Sequence, residues 1–146
     1  MKKIVVFDLD GTVVDNGHRY IYHFVDMRKY LSLADKDETF EAMGQICKWY
    51  LNRTDVITVF LTARMEIERK STLAYIRRDL KHDFPDNRLY MKPNNLTEEK
   101  MDTPRWKLQT LLKLVKGDKN RIMCVFEDRS DIVDLMRSVG IVVIQP

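Results

Sequence analysis

Two pairs of acidic residues stand directly after short apolar runs of the sequence. Asp8 and Asp10 follow the run 4–7, and Glu127 and Asp128 follow the run 122–126. Carboxylates brought together repel one another unless a cation lies between them or one is protonated. A single acid at such a place is as readily a turn former or helix cap. Two pairs, each after an apolar strand, favour a hard divalent cation held by oxygen, Mg²⁺ above all.

Two further residues have side chains that suit a phosphate. Thr62, followed by Ala63 and Arg64, comes after a second apolar run, so its hydroxyl and the next backbone N–H groups are candidate phosphate donors. Lys107 stands near the start of a predicted helix, where the helix dipole disfavours a cation unless an anion lies nearby. The alternatives are strand-end capping for Thr62 and an exposed, solvated side chain for Lys107.

These residue types together are the parts of a phosphoryl-transfer site. One carboxylate attacks phosphorus and forms an acyl phosphate. A metal ion and a lysine neutralise the charge on the nucleophile and the phosphate. The second carboxylate transfers the proton.

Alternating strands and helices are predicted to position these residues. Apolar runs rich in β-branched residues predict strands, and stripes of apolar residues at spacings of three and four predict helices. The predicted strands cover residues 4–7, 55–61, 88–91, 121–126 and 141–144. One predicted helix follows Asp35 and Asp37, both possible N-caps, and another spans 66–80 with Ile67 towards the core. A third has Thr103 as its predicted N-cap, Pro104 at its first position and Gly117 at its end, and a last one runs from Ser130 to Gly140.

This alternation implies βαβ units and a mainly parallel sheet between two layers of helices, a three-layer α/β/α Rossmann-like fold. Ligands of such sheets bind beyond the carboxyl ends of the strands, which is where the acids and Thr62 stand. A chain of 146 residues is expected to form one domain, residues 1–146.

Composition excludes some classes of protein and leaves others open. The 25 Lys and Arg against 22 Asp and Glu give a net charge of +3, too weak by itself to indicate nucleic-acid binding. Cys47 and Cys124 lie far apart among apolar residues and are expected to be reduced core thiols. No apolar run approaches the ~18 residues of a membrane span, so a cytoplasmic protein with no membrane association is expected.

The segment Asp8–Thr12 reads DLDGT and resembles the DxDGT signature of the haloacid dehalogenase (HAD) superfamily. Thr62, Lys107 and the pair Glu127–Asp128 then follow in the order of that family's other motifs, so the resemblance spans nearly the whole chain. It implies a Mg²⁺-dependent phosphatase or phosphotransferase, because an aspartate two residues after the nucleophile marks those members of the superfamily.

The resemblance also implies a role for each candidate residue. Asp8 is the expected nucleophile, and Asp10 is the expected general acid and later the base for the attacking water. Lys107 is expected to stabilise Asp8 and the phosphate, which Thr62 binds. Beside the resemblance, Ala63, Arg64 and Lys92 are further candidates for holding the substrate phosphate or its neighbour. The expected metal ligands are Asp8, the backbone carbonyl of Asp10, Asp128 and, through water, Glu127.

A narrower resemblance involves Leu89–Pro93 (LYMKP), Lys107 fifteen residues after Lys92, and Glu127–Ser130 (EDRS). These segments are similar to the phosphatase half of phage polynucleotide kinase–phosphatases, which removes 3′-phosphates from nucleic-acid ends. A kinase phosphate loop, GxxxxGK[ST], is not found in the sequence. Glu127 stands where Asp is usual, and Lys92 stands where relatives often carry Arg, which loses a bidentate phosphate contact.

The expected function is therefore a polynucleotide 3′-phosphatase whose partner is a phosphorylated nucleotide or nucleic-acid end. A small-molecule phosphatase of the 5′-nucleotidase type is the main alternative. A non-catalytic phosphate-binding regulatory module is a third, although receiver domains carry their phosphoacceptor after the third strand.

The chain between Thr12 and the second predicted strand has room for one helix and a loop, so no sizeable cap domain and an open site are expected. An open site favours a polymer end as the substrate. Residues Gly17–Tyr30 interleave basic and aromatic side chains, which suits base stacking and contacts with a phosphate backbone. The alternative is that Tyr20, Phe24 and Met27 form one apolar stripe against the core.

Overall fold

A parallel sheet of five strands forms the centre of the computed structural model, which describes residues 1–146. Its strands lie in the order β5-β4-β1-β6-β7, and a separate two-stranded ribbon pairs β2 with β3. The strand bounds are β1 Lys3–Phe7, β2 Val14–Asp15, β3 Glu38–Thr39, β4 Val56–Met65, β5 Leu89–Lys92, β6 Ile122–Phe126 and β7 Val143–Ile144.

Helices cover both faces of the sheet. Their bounds are α1 Gly17–Tyr20, α2 Met27–Ser32, α3 Glu41–Leu51, α4 Arg69–Asp79, α5 Thr103–Leu114 and α6 Ser130–Ser138. Alternate residues of β1 face opposite ways: Val5 and Phe7 pack with α3 and α4, whereas Ile4 and Val6 pack with α5 and α6. This arrangement confirms the predicted three-layer α/β/α fold.

The register of the three central strands brings their polar ends together. Phe7 of β1 lies beside Phe60 of β4 on one side and Phe126 of β6 on the other. The rings of Phe7 and Phe126 stack with their centroids 4.5 Å apart. The backbone N–H of Asp8 donates to the carbonyl of Phe126. The residues that follow, Asp8 and Glu127, therefore leave the sheet at the same level.

The structure differs from the predicted elements around the end of β4. This strand continues to Met65, beyond the predicted end at residue 61, because Met65 still pairs with Lys92 of the neighbouring β5. A 3₁₀ turn over Glu66–Glu68 then replaces the predicted start of the helix, and α4 begins at Arg69. That turn points Ile67 outwards, 61% exposed, so its predicted place in the core is wrong.

The predicted caps differ for two of the helices. The side chain of Asp102, rather than that of Thr103, accepts the backbone N–H of Arg105 at the start of α5. Asp37 was a predicted N-cap of the helix that became α3, but it is buried and bound to arginines, while Phe40 precedes α3 without a side-chain cap. Asp37 does not cap α3 because its partners Arg19 and Arg64, 18 and 27 residues away in the sequence, hold it elsewhere. At α5 the cap moves by a single residue to Asp102, because the Thr103 hydroxyl is bound to Lys92 and Glu98.

Residues 13–40 form more than the predicted helix and loop. They contain the β2–β3 ribbon, the short helices α1 and α2, and a 3₁₀ turn over Ala34–Lys36. The N–H of Phe40 donates to the carbonyl of Val13, which closes this segment on itself. Val13 and Val14 belong to the main core cluster, so the segment is an extension of the sheet domain rather than a sizeable cap.

Two expectations from composition can be compared with the structure. Cys47 and Cys124 are free, buried thiols, as predicted. None of the helices has the length and apolar character needed to cross a membrane.

Candidate active site

Asp8, Glu127 and Asp128 form an acidic cluster at the carboxyl ends of β1 and β6. One carboxylate oxygen from each lies within 4.8 Å of the others. Lys107, which α5 carries over the sheet, donates to Asp8 Oδ1 at 2.7 Å and to Glu127 Oε2 at 2.6 Å. Lys107 thus has the anionic partners that its position near a helix N-terminus requires.

Burial and unequal charge set the electrostatics of the acidic cluster. Burial raises the pKa of Asp8 to about 6 against the opposing effect of Lys107, and it also raises the pKa of Glu127. Burial alone would lower the pKa of Lys107, but Asp8 and Glu127 outweigh it, so that pKa lies above its ordinary value. One ammonium group faces three carboxylates, which leaves negative charge for a cation to neutralise.

The loop after β1 is built to bring Asp8 and Asp128 together. The carbonyl of Leu9 accepts the N–H groups of Thr12, Val13 and Val14. The Thr12 hydroxyl lies 3.0 Å from Asp8 Oδ2 and 3.1 Å from Asp128 Oδ1.

Gly11 leaves room in this loop for the Asp128 carboxylate. It has φ +83°, and a Cβ added there would lie 2.3 Å from Asp128 Oδ2. Any side chain at position 11 would therefore push away the Asp128 oxygen. The oxygens of Asp8 and Asp128 around this space are the hard donors that a Mg²⁺ ion prefers.

Thr62 and Ala63 lie near the end of β4 and line the same cavity as Asp8. Thr62 is buried, and its Oγ1 accepts the backbone N–H of Arg64 at 3.1 Å. That bond leaves the hydroxyl proton free to be donated to a phosphate oxygen.

Asp10 belongs to a second group of charges, the arginine network, formed by Asp10, Arg19, Asp37, Arg64 and Glu68. Arg64 Nη2 donates to Asp10 Oδ1 at 2.6 Å and to Asp37 Oδ2 at 2.8 Å, and its Nε donates to both Asp10 oxygens. Arg19 binds both oxygens of Asp37 at 2.7 Å and also donates to Glu68. Asp10 is thereby fixed beside the acidic cluster.

Arg64 and Arg19 have different surroundings from those that the sequence suggested. The predicted phosphate contact of Arg64 stays a prediction, because its guanidinium is engaged with Asp10, Asp37 and the Thr72 hydroxyl. Arg19 is fully buried, so it is not one of the basic residues of 17–30 that a nucleic acid can reach. The roles of Arg19, Asp37 and Glu68 were missed because Arg19 lies 18 residues from Asp37 and 49 from Glu68.

Lys92, predicted to hold substrate phosphate, lines the cavity but already has two partners. Its Nζ donates to Glu98 Oε1 at 2.8 Å and to Thr103 Oγ1 at 3.1 Å. Burial alone would raise the pKa of Glu98, but the hydrogen bonds from Lys92 and Thr103 lower it to about 2. Glu98 lies in the loop between β5 and α5 and is not among the residues predicted from the sequence. The phosphate contact of Lys92 remains a prediction.

These groups share one cavity of about 710 Å³. Its lining includes Asp8, Asp10, Thr62, Lys92, Lys107 and Glu127, with aromatic side chains of residues 13–40 on another side. Tyr20 and Phe24 are 53% and 76% exposed, so the alternative in which they pack against the core is wrong. The site is therefore bordered by residues 13–40 rather than fully open.

The fold and the site define a HAD-type phosphatase. A family model for the phosphatase domain of polynucleotide kinase PNKP matches residues 2–146. The chain belongs to that family of phosphatase domains. No curated protein matches the sequence.

Solved structures show the same fold at low sequence identity. The chain is similar to chains in two structures of the Pnkp1/Rnl/Hen1 complex, one of them described as an RNA repair complex, with 21% identity and TM-scores of 0.74 and 0.76. The whole chain is covered in both comparisons, but it spans only 42% and 46% of those longer chains. The chain is also similar to a HAD-like hydrolase from Streptococcus pneumoniae, with 11% identity and a TM-score of 0.64. That comparison covers 99% of this chain and 84% of the hydrolase.

Proposed function

We propose that this phosphatase removes the terminal phosphate from the 3′ end of a nucleic acid through an aspartyl-phosphate on Asp8. The observation that carries the proposal is the position of Asp8. It lines the cavity, lies 2.7 Å from the Lys107 ammonium, and belongs to a cluster with two other carboxylates. A nucleophile needs this combination of access and a neighbouring cation to approach a negatively charged phosphate.

The reaction proceeds in two steps. An Asp8 oxygen attacks phosphorus, the bond from phosphorus to the sugar oxygen breaks, and Asp10 donates a proton to that leaving oxygen. Water then attacks the acyl phosphate and gives a proton to Asp10, which releases inorganic phosphate and restores the Asp8 carboxylate. Arg64 holds Asp10 at the edge of the cavity, where its side chain keeps 25% exposure to meet the leaving group and water.

Two other side chains stabilise the transferred phosphoryl group. Lys107 neutralises charge on Asp8 and on the phosphate oxygens as they develop. The Thr62 hydroxyl donates to a phosphate oxygen, together with the backbone N–H groups that follow it.

The acidic cluster fits a divalent cation. Asp8 and Asp128 would hold the ion directly with the Asp10 carbonyl, since the Asp10 carboxylate is bound to Arg64. Glu127 would act through water, because its two oxygens already accept from Lys107 and from the backbone N–H of Arg129. A bound Mg²⁺ supplies charge neutralisation for the phosphoryl group and its nucleophile.

The family and its structural neighbours support the choice of a nucleic-acid 3′ end. The family model is that of the phosphatase domain of a polynucleotide kinase, and two neighbours are chains of Pnkp1/Rnl/Hen1 complexes. On this proposal the substrate is a 3′-phosphorylated strand whose backbone phosphates meet Lys or Arg side chains, so the KM rises with salt concentration.

The test compares phosphate release from four matched substrates: a 3′-phosphorylated oligonucleotide, the same strand phosphorylated at its 5′ end, and the 3′- and 5′-mononucleotides. The expected result is preference for the 3′-phosphorylated strand, loss of activity in EDTA and recovery with Mg²⁺. Equal kcat/KM for the strand and the 5′-mononucleotide, without a salt effect, would establish the 5′-nucleotidase alternative instead. Full activity after exhaustive chelation would contradict the metal assignment, and the variant D8N serves as the inactive control.

A further inference from the structure

Two exposed rings, Tyr20 and Phe24, and the half-buried ring of His23 gather on one side of the cavity. Tyr20 and His23 are parallel to within 5°, with their centroids 6.1 Å apart, and Phe24 meets Tyr20 and His23 edge-on at 6.0 Å and 4.6 Å. Phe24 is 76% exposed, the most exposed aromatic side chain of the protein. All three residues line the cavity that also contains Asp8. We refer to Tyr20, His23 and Phe24 as the aromatic wall.

The backbone that carries the aromatic wall is held firmly. Helix α1 ends at Tyr20, and the chain continues in tight turns in which the N–H of His23 donates to the carbonyl of Tyr20. Directly before Tyr20, the buried Arg19 is bound to Asp37, to Glu68 and to the carbonyl of Tyr30. His23 also packs edge-on against the buried ring of Tyr30. The rings are therefore prepositioned, which lowers the entropic cost of binding against them.

The aromatic wall has no role in the catalytic steps proposed above. Tyr20 and Phe24 are also not part of the hydrophobic core. Exposed aromatic side chains beside a catalytic cavity are typical of sites that bind a flat, apolar ligand. A ligand whose phosphate lies at Asp8 can also contact the wall, because both line the same cavity. The cavity of about 710 Å³ is within the ordinary size range for a bound small molecule.

We infer that the aromatic wall stacks against the terminal nucleobase of the substrate, the base on the sugar that carries the phosphate. This inference rests on the proposed function and adds a subsite to it. Every nucleobase has a π face, and Phe24 has no hydrogen-bonding group, so the recognition is tolerant of base identity. A protein partner is a weaker choice for this surface, because it would cover the entrance through which the substrate reaches Asp8.

The first experiment measures binding without turnover. The D8N enzyme is mixed with a 3′-phosphorylated oligonucleotide that carries 2-aminopurine, whose fluorescence falls on stacking, at the terminal position or at an interior position. Fluorescence should fall on binding only for the terminal probe. Adding F24A to D8N should weaken binding by about fivefold to tenfold, in line with the worth of one stacked base. F24W should retain the quenching, and F24L, which is apolar but not aromatic, should lose it.

The second experiment uses turnover by the active enzyme. F24A should raise the KM of the base-bearing strand by the same factor with kcat nearly unchanged, and it should leave the KM of a strand with an abasic 3′-phosphorylated terminus unchanged. W49A is the matched control, because Trp49 is also an exposed aromatic residue, 57% exposed, on α3 and away from the cavity lining. Thermal unfolding checks that F24A and W49A fold like the parent.

Failure of the inference can be told apart from failure of the proposed function. Equal effects of F24A on base-bearing and abasic strands, or quenching only at the interior probe, would overturn the aromatic wall as the terminal-base subsite. A wild-type enzyme without preference for 3′-phosphates would overturn the proposed function. In that case the binding measurement on D8N still tests whether the aromatic wall stacks against the terminal base.

Discussion

The acidic cluster and the arginine network lie side by side at the edge of the sheet, yet their charges are balanced differently. In the acidic cluster the single ammonium group donates to two of the three carboxylates, and burial raises the pKa of Asp8 to about 6. In the arginine network two guanidinium groups serve three carboxylates with bidentate or bridging bonds. The first arrangement leaves charge and space for a ligand, whereas the second uses its donors within the protein.

This difference in charge balance indicates a different chemical role for each region. Asp8 and Asp10 are separated by a single residue, but Asp8 belongs to the region with uncompensated negative charge and Asp10 to the region that is nearly neutralised. A nucleophile must approach phosphorus, and a general acid must be held in place. Three predictions test this division, and a fourth concerns the neighbouring Lys92–Glu98 pair; they are given in order of decreasing effect.

The largest effect is expected for D8N. Asparagine keeps the shape of Asp8 and still accepts a hydrogen bond from Lys107, but it cannot attack phosphorus. We expect phosphate release to fall by about four powers of ten or more, with an unchanged circular dichroism spectrum. D134N, at an exposed position on α6, is the matched control and should keep full activity. A D8N enzyme with more than a tenth of the wild-type rate would remove Asp8 from the role of nucleophile.

D37A tests the arginine network through stability. Asp37 is buried and accepts from both Arg19 and Arg64, so alanine leaves two buried guanidinium groups short of a partner. Breaking a buried pair in this way costs about 3–5 kcal/mol of unfolding free energy, measurable by urea denaturation. D35A changes an exposed aspartate two residues away and should be nearly neutral. A loss below about 1 kcal/mol for D37A would show that the network is not a structural unit.

R64K separates the two roles that Arg64 can have. Lysine keeps the charge but loses the fork that holds Asp10, so a positioning role predicts a fall in kcat with little change in KM. The expected fall is about tenfold to a hundredfold, part of what general acid catalysis contributes. A rise in KM at constant kcat would instead support the direct phosphate contact predicted from the sequence. Steady-state kinetics on the 3′-phosphorylated strand decides between them.

The smallest effect concerns Glu98 and pH. The pKa of Glu98 is about 2 in the folded protein, below its ordinary value of 4.5, so its contribution to stability is present above pH 4.5 and is lost as the pH falls towards 2. The Glu98 side chain is 61% exposed, so E98Q should lower the unfolding free energy by at most about 1 kcal/mol at pH 7.

The difference between wild type and E98Q should shrink as the pH is lowered from about 5 to about 3. Chemical denaturation at each pH measures it, and E99Q, an exposed neighbour, corrects for general effects of acid. A difference that stays constant over this range would show that the Lys92–Glu98 pair contributes nothing to the folded state.

The sequence alone determined the alternating elements, the parallel sheet and the gathering of Asp8, Glu127 and Asp128. Each of these depends on local patterns: apolar runs, helical spacing, and the rule that parallel strands end at the same edge. Even the partners of Lys107 could be anticipated, because a cation near a helix N-terminus needs an anion.

The positions of residues 13–40 and of the loop before α5 at the carboxyl edge of the sheet depend on tertiary contacts. The tertiary structure buried Arg19 and Asp37, turned Tyr20 and Phe24 outwards, and gave Lys92 the partners Glu98 and Thr103. These outcomes depend on ion pairs between groups distant in the sequence, as the separation of 54 positions between Asp10 and Arg64 illustrates. Local periodicity carries no information about such pairs, because a buried charge is stable only where the fold brings its partner within hydrogen-bonding distance.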